Sequence, residues 1–229
     1  FAERDAAKAA GHDDRAAQIN EEYQQIRVDY HPSKVNTKYS SHKIPGGDNY
    51  RELLIRLPSL EGKYESKHYA DQEIASLRVD DRVGPNGEKV LFINELQSDL
   101  HQIGRQKGYK QNLSAEQRAA LSARANELTK RGSSPEFASL PDAEKAAVKR
   151  ELEDLYAQGA AETYGSPNAP FKGDLWLELA LKRALLYASE NGYDAVSWAR
   201  SDQIAKAVGA EPEKLALQYD SKIGKFLDK

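Results

Sequence analysis

The chain has 229 residues and a formal net charge of −3, and 30% of its residues are charged. This length is enough for one large domain or two small ones with a buried core. The near-balanced charge gives no electrostatic case for nucleic acid or an acidic membrane as an obligatory partner. Without cysteine there are neither disulfides nor thiolate metal sites, and the five histidines lack ligand spacing, so no metal is expected.

The sequence contains no methionine, not even at its first position, which predicts a fragment of a longer polypeptide. It has no apolar stretch long enough to span a bilayer and no opening segment that resembles a signal peptide. We therefore expect a cytoplasmic protein, or part of something larger that is delivered to a cytosol.

Residues 1–48 are predicted to form an N-terminal helical extension and a loop. Four apolar side chains at helical spacing predict a helix over residues 3–30. They are Ile19, Tyr23, Ile26 and Tyr30. His31-Pro32 ends this helix, because the residue before proline is driven out of the helical region, and a polar loop follows to Asp48.

Residues 49–229 are predicted to form an α/β core domain. Period-two patterning or continuous apolar character marks four strands, which we expect in one sheet. They are residues 50–57, 75–82, 89–97 and 194–198. The segment "VGPNG" has the composition and length of a hairpin turn, and the apolar run Val90–Ile93 predicts a central strand.

A helical hairpin is predicted as an insertion in this core, at about residues 112–165. The segment "SAEQ", Ser114 to Gln117, has the spacing of a capping box. The second helix carries Val148, Leu152 and Leu155 on one face. The simplest interpretation is a protruding element without a catalytic role.

The C-terminal part predicts a strongly apolar helix over residues 174–191, packed on a face of the sheet. Asp174 is its expected N-cap and Asn191-Gly192 its left-handed end. The segment "LALQYDSKIGKFLDK" then begins an amphipathic helix. These patterns together predict an α+β fold, in which a mixed, mainly antiparallel sheet is flanked by helices and carries an inserted helical hairpin.

The candidate site lies in "FINELQSDLHQIGRQKGY", where a buried strand ends in polar side chains. Strand alternation places Glu95, Gln97 and Asp99 on one face, and Asn94, Leu96 and Ser98 on the other. Burial would raise the pKa of Glu95 and suit it to act as a general base. We expect one pocket lined by Glu95, Gln97, Asp99, His101, Arg105 and Lys172. The alternative is that the acidic side chains form ordinary ion pairs with Arg51, Arg78 or Arg82.

Two glycine-containing turns are candidate anion sites. In "RQKGYK", Arg105 and Lys110 supply charge and Gly108 lets the backbone approach an anion. In "PFKGD", Lys172 and Gly173 precede the long apolar helix, whose N-terminal N–H groups and dipole favour phosphate.

Residues 49–229 resemble a module of the large multidomain polyvalent proteins of phages, prophages and mobile elements. The matching segments are "NYRELLIRLP", "VLFINELQSDLHQIGRQKGY", "APFKGDLWLELALKRALLYASENGYDAVSW" and "LQYDSKIGKFLDK". The resemblance implies a part of a larger polypeptide that works in a host cytosol, with delivery in a virion as one route, and a host or phage protein as partner.

A more distant resemblance connects the order strand, R-x-x-G-x turn, helix, "GYDAV" strand and Tyr-containing helix to the GNAT acyltransferases. It implies that acetyl-CoA binds at Arg105, Gly108 and Lys110, although Lys110 stands where that family has a small residue. The inserted hairpin also separates the turn from its helix, so Lys172 and Gly173 are expected to share the phosphate role, with Gln97 beside them. The resemblance further implies that Glu95 is the base and Tyr219 the acid. Asp99 and His101, from the same polar cluster as Glu95, are further catalytic candidates.

Three functions stay open from the sequence. The first is an acyltransferase in which Glu95 deprotonates an amine and Tyr219 protonates the CoA thiolate. The second is an ADP-ribosyltransferase that uses NAD through Arg51 and Glu95. The third is a non-enzymatic module that binds a host or virion protein through the N-terminal helix and the hairpin.

Tyr219 has its own alternative. It heads an apolar stripe at helical spacing, so its ring should be buried while its hydroxyl needs a partner. The stripe consists of Tyr219, Ile223, Phe226 and Leu227. The hydroxyl either bonds the backbone or opens into the same cleft as Glu95.

Overall fold

The computed structural model describes residues 26–32, 39–60 and 72–227, and the five strands in this part of the chain form one sheet in chain order. They are β1 (Arg27–Pro32), β2 (Asp48–Arg56), β3 (Glu73–Val83), β4 (Lys89–Gln97) and β5 (Ala195–Trp198). Strands β1 to β4 are antiparallel to their neighbours, whereas β4 and β5 are parallel. The α+β class and the mixed, mainly antiparallel sheet are therefore confirmed.

The described helices begin directly after β4. They are α1 (Asp99–Lys107), α2 (Ala115–Gly132), α3 (Pro135–Ala138), α4 (Asp142–Tyr164), α5 (Leu175–Glu190), α6 (Ser201–Val208), α7 (Pro212–Ala216) and α8 (Ile223–Leu227). A 3₁₀ turn covers Ser40–His42, and a π-helical segment, Leu217–Lys222, joins α7 to α8. The sequence does not predict helix α1, because the alternation of polar side chains as far as Asp99 also fits a strand end.

Strands β2 to β5 coincide with the four predicted strands to within two residues at each end. The turn between β3 and β4 is closed by a hydrogen bond from Gly84 N to Glu88 O of 2.8 Å. Gly87 in this turn has a φ of 93°, a conformation that glycine adopts without strain. The hairpin predicted from "VGPNG" is thus confirmed.

Strand β1 corrects the sequence prediction, which placed the end of a helix at residues 27–30. Val28 lies opposite Ile55 and Tyr30 opposite Leu53 in an antiparallel pair. Apolar residues at every second position fit a strand as well as a helix. As a strand, this segment also pairs with the backbone N–H and C=O groups at the edge of β2, which a helix could not do. The rest of the predicted helix, residues 3–25, lies outside the described residues.

Helix α5 packs on one face of the sheet, against β3, β4 and β5, as predicted. Its apolar side is broad, as expected of a helix in a core. Its buried residues are Trp176, Leu177, Leu179, Ala180, Leu181, Ala184 and Ala188. Asn191 and Gly192, with a φ of 66° at the glycine, end the helix as predicted.

Asp174 lies at the N-cap position of α5, but its side chain makes no capping hydrogen bond. Its backbone has helical angles (φ −93°, ψ −4°), whereas a capping side chain needs an extended backbone to reach the first free N–H groups. The carboxylate instead accepts a hydrogen bond from Lys222 Nζ at 2.5 Å.

Contacts divide the chain into two units, one with the sheet and everything from residue 170 onwards, the other with residues 100–169. In the second unit, α2 and α4 pair as the predicted helical hairpin. Ser114 Oγ accepts from Gln117 N at 3.1 Å and Gln117 Oε1 accepts from Ser114 N at 2.8 Å, which confirms the capping box.

Candidate functional site

The candidate site lies on the face of the sheet opposite α5. The guanidinium of Arg51 lies 5.7 Å from the ring centroid of Tyr187 on α5, so the next residue of β2, Glu52, faces away from that helix. The strand register then places Glu52, Arg78 and Glu95 side by side across β2, β3 and β4. We call this side of the sheet the polar face.

A β-bulge in β4 decides which side chains share the polar face. Arg78 pairs with Glu95, but its neighbour Val79 pairs with Ile93, so Asn94 is the extra residue. Asn94 Nδ2 donates to Asp80 Oδ2 at 2.9 Å, and Asp80 lies on the same side of β3 as Arg78. Asn94 therefore shares a face with Glu95, whereas uninterrupted alternation predicted opposite faces.

Arg78 connects the polar side chains at the end of β4. Its Nη1 donates to Glu95 Oε2, and its Nη2 lies 3.5 Å from Gln97 Oε1. Gln97 Nε2 in turn donates to Asp99 Oδ1 at 2.8 Å. The structure thus brings together three of the predicted site residues, through an arginine that the sequence suggested only as an ion-pair partner. The side chain of Arg78 is 6% exposed and that of Glu95 is 19% exposed, so solvent reaches the network at Glu95.

Glu73, at the start of β3, belongs to the same charged cluster. Its burial raises its pKa to about 8, and the Asp99 carboxylate acts in the same direction. A hydrogen bond from Ser76 and the charges of Arg56 and Arg78 oppose this rise in pKa. Glu73 is therefore a neutral carboxylic acid at pH 7 that ionises in the mildly alkaline range.

Arg51 lies in a separate cluster on the α5 side of the sheet. Its Nη2 donates to Asp81 Oδ1 at 2.6 Å and also contacts the Tyr193 hydroxyl, which donates to the same carboxylate oxygen at 2.5 Å. Although burial acts to raise the pKa of Asp81, hydrogen bonds from Arg51, Tyr193 and Asn49 hold it below its usual value. Arg51 and Glu95, the pair that NAD chemistry was expected to use, lie on opposite faces of the sheet.

The candidates His101, Arg105, Gly108 and Lys110 lie in the second unit. His101 is buried, and its Nδ1 lies 2.8 Å from the Tyr109 hydroxyl. Gly108 ends α1 in a left-handed conformation (φ 82°), and its N–H donates to Gly104 O at 3.0 Å. The N–H of Lys110 donates to Ser166 O at 2.8 Å.

This placement bears on the predicted pyrophosphate site. The "RQKGYK" turn forms the C-terminal end of α1, where the helix dipole disfavours anions, and not the N-terminal end of a helix. Two of its backbone N–H groups are already bonded to carbonyl oxygens. Arg105 and Lys107 are exposed in the last turn of α1, where their positive charges interact favourably with the negative end of the helix dipole.

Lys172 and Gly173 precede α5 as predicted, and both are exposed. Gly173 has a φ of 64°, which brings the chain into the helix through a tight turn. The Asp174 carboxylate lies at the same helix end in an ion pair with Lys222. A negative group of the chain itself is therefore already present where a bound phosphate was expected.

Tyr219 is 2% exposed, and its hydroxyl binds the backbone of Leu96. It accepts from Leu96 N at 2.9 Å and donates to Leu96 O at 3.0 Å, and Gln218 Nε2 also donates to Leu96 O at 3.0 Å. Parallel pairing with β5 ends at Ile93 and Trp198, so these side chains replace a strand at the open edge of β4. Burial raises the pKa of Tyr219, with Glu95 adding to the effect, so the hydroxyl is protonated at neutral pH. Of the two alternatives for the Tyr219 hydroxyl, the structure has the hydrogen bond to the backbone. A catalytic role for Tyr219 stays a prediction.

Comparison of the chain with protein-family models, curated proteins and solved structures finds no match. The resemblances to phage polyvalent modules and to GNAT acyltransferases therefore stay predictions. None of the helices that the structure describes is long and apolar enough to cross a membrane. Within the same residues, no group of three or more His, Asp or Glu side chains is arranged to hold a metal ion.

Glu73 is not among the residues that the sequence predicts for the site, and Arg78 is predicted only as an ion-pair partner. Glu73 stands at the start of a strand, where a polar residue is unremarkable, and its altered pKa arises from burial that only the fold creates. A signal for Arg78 was present, because β2, β3 and β4 each carry charged residues in their interior, and one residue of each strand gives a row that alternates in sign. Glu52, Arg78 and Glu95 become such a row once the strands are in register.

Proposed function

We propose that the chain is an acyltransferase that moves an acyl group from a CoA thioester to an amine, with the polar face of β3 and β4 as its reaction centre. The observation that carries the proposal is the network in which Arg78 joins Glu95 and Gln97 beside Asp99 and Glu73. A buried charged network contributes less to stability than apolar packing of the same volume. Carboxyl groups with altered pKa values, such as Glu73, concentrate at functional sites.

The strand arrangement supports this class of reaction. The parallel pair β4 and β5 is connected through α5, and a Tyr-containing helical segment follows β5. This is the order of elements on which the GNAT resemblance rests. Fold alone does not define a reaction, so the acyltransferase proposal depends on the polar network as well.

In the proposed reaction the acceptor nitrogen attacks the thioester carbonyl carbon, the C–N bond forms and the C–S bond breaks. Glu95 takes the proton that the nitrogen loses, because it is a carboxylate on the polar face that is bonded to Arg78 and is partly accessible to solvent. The departing thiolate takes a proton, for which Tyr219 is the candidate acid. Its hydroxyl is protonated at neutral pH and donates a hydrogen bond to the carbonyl oxygen of Leu96, the residue after Glu95. To act as an acid, the hydroxyl must give up this hydrogen bond.

Within this proposal, Gln97, on the polar face, is the candidate CoA contact. The acceptor is an amine on a host or phage protein, in keeping with a module of a phage polyvalent protein that acts in a host cytosol. The geometry of the Arg51 and Glu95 clusters favours this chemistry over transfer from NAD.

The test begins with thermal unfolding of the chain in the presence of acetyl-CoA, CoA or NAD. A ligand at 100 times its dissociation constant adds about 2.7 kcal/mol of stability. Thiol release from acetyl-CoA is then followed with a panel of amines and protein lysines. Glu95→Gln should lower turnover by roughly 10²-fold or more, and Glu153→Gln, at an exposed position of α4, is the matched control.

Stabilisation by acetyl-CoA with turnover that depends on Glu95 supports the proposal. Stabilisation by NAD alone would instead support the ADP-ribosyltransferase. If no nucleotide ligand raises the unfolding temperature and no thiol is released, the chain is a binding module and the proposal is wrong.

A further inference from the structure

The loop Tyr39–Gly47 covers part of the polar face. Its backbone and its Tyr39 ring contact charged and polar side chains of the sheet. Ile44 N donates to Asn94 Oδ1 at 2.9 Å, and Arg82 Nη2 donates to Ile44 O at 3.1 Å. The loop is therefore attached to the sheet through its backbone at Ile44.

The far end of the loop is attached at Asp80, which is fully buried. A Cβ atom on Gly47 would lie 2.1 to 2.3 Å from the carboxylate atoms of Asp80, so only glycine lets the loop come this close. Asp80 is held in place by Arg82 at 3.0 Å and by Asn94 at 2.9 Å. Asp80, Arg82 and Asn94 therefore serve to attach the loop. They form a group distinct from the network around Arg78.

The near end of the loop contacts Arg78 directly. The guanidinium carbon of Arg78 lies 4.1 Å from the centroid of the Tyr39 ring, a close cation–π contact. The backbone N–H of Tyr39 donates to Glu52 Oε1 at 3.3 Å, and the Tyr50 hydroxyl donates to the same oxygen at 3.2 Å. The Tyr39 ring is therefore held by its own backbone, and the guanidinium of Arg78 lies over it.

This contact fixes the plane of the guanidinium. A guanidinium that is free to rotate cannot hold two acceptors at once, and holding Glu95 and Gln97 together requires one orientation of its Nη atoms. We propose that the Tyr39–Gly47 loop is the cover of the reaction centre and that Tyr39 is a positioning residue, which holds Arg78 in the plane that serves Glu95 and Gln97. This inference rests on the proposed function for its catalytic consequence, but its geometric part stands by itself.

The inference predicts an effect on the pKa of Glu73. The groups that act on Glu73 are Ser76, Asp99, Arg56 and Arg78. Arg78 lowers the pKa of Glu73, so an arginine released by loss of the Tyr39 ring should let that pKa rise. If the Tyr39 ring only filled space and did not orient Arg78, its removal would leave the pKa of Glu73 unchanged.

The experiment compares Tyr39→Ala with Tyr39→Phe, which keeps the ring and removes only the hydroxyl, and with Tyr164→Ala at an exposed tyrosine of α4. NMR of the side-chain carboxyl carbons gives the titration midpoint of Glu73, and the Arg78 Nε–H resonance reports its exchange with water. In Tyr39→Ala we expect the midpoint to rise by roughly half a pH unit or more and the Arg78 resonance to broaden. In the other two variants we expect neither change.

Where acyl transfer is measurable, Tyr39→Ala should lower kcat about tenfold with little change in KM for acetyl-CoA, and Tyr39→Phe should restore it. Absence of acyl transfer in the unmodified chain would refute the proposed function, and the NMR result would still decide the role of Tyr39. A folded Tyr39→Ala variant with an unchanged Glu73 midpoint and Arg78 resonance would overturn the inference. Should Tyr39→Ala fail to fold, Tyr39→Leu provides the same comparison with the loop volume retained.

Discussion

Replacing Glu73 with glutamine should make the protein more stable at neutral pH. It should also remove the contribution of this carboxyl to the pH dependence of the free energy of unfolding. Glu73 is 2% exposed and its pKa in the folded state is about 8, against a usual value of 4.5. Glutamine has nearly the same shape and can still accept a hydrogen bond from Ser76. It differs in having no proton to lose, so its unfolded state gains no stability from ionisation as the pH rises.

The sign follows from proton binding in the two states. Below about pH 4.5 the carboxyl is protonated in both states and its contribution to stability is fully present. Between about 4.5 and 8 only the folded state holds the proton, so the free energy of unfolding falls as pH rises, and above about 8 it levels off. The limiting slope is about 1.4 kcal/mol per pH unit, which amounts to roughly 3.5 kcal/mol between pH 5 and pH 8 as an upper bound.

Urea unfolding at pH 5, 6, 7 and 8 measures this effect directly. Other titrating groups contribute equally to both proteins, so the difference between the unmodified chain and Glu73→Gln isolates Glu73. We expect that difference to grow with pH in favour of the variant, while the m-value is unchanged because the exposed surface is the same. Glu153→Gln, at an exposed glutamate, should give a curve parallel to that of the unmodified chain. Parallel curves for Glu73→Gln as well would refute the reasoning, because the carboxyl would then be ionised in the folded state at neutral pH.

Three further substitutions test separate parts of the structure. Asp81→Asn should lower the free energy of unfolding by about 3 kcal/mol or more, because it leaves the buried charge of Arg51 uncompensated, and a loss below that of Tyr193→Phe would contradict this. Tyr219→Phe should cost about 1 to 3 kcal/mol, since the Leu96 N–H loses the hydroxyl that accepts its hydrogen bond, and equal stability would show that the hydroxyl is dispensable to the fold. Gly47→Ala should destabilise by about 1 to 3 kcal/mol through contact with Asp80. Its control is Gly132→Ala, where nothing lies within 4 Å of the added Cβ, and calorimetry should show no loss there.

Much of the fold could be predicted from local patterns. Strands β2 to β5 and helix α5 are long segments in which apolar periodicity agrees with the final burial, and the hairpin of α2 and α4 begins at a capping box. Strand β1 could not be predicted in the same way. The alternation of Ile26, Val28 and Tyr30 and the helical stripe that ends at Tyr30 use overlapping residues, and the free edge of β2 decides between them. Helix α1 was obscured for a similar reason, since polar residues after a strand fit a continued strand and a new helix equally well.

The candidate site shows where sequence reasoning reaches its limit. Alternation correctly groups Glu95 with Gln97, because both lie beyond the bulge on an undisturbed stretch of β4. It cannot locate the bulge, which depends on how β3 and β4 meet and which turns Asn94 to the side of Glu95. That one extra residue gives β4 two polar side chains in succession on one face. Asn94 then binds the Tyr39–Gly47 loop, and Glu95 binds Arg78. The β-bulge thus gives neighbouring residues of β4 two different roles, one in attaching the loop and the other in the charged network.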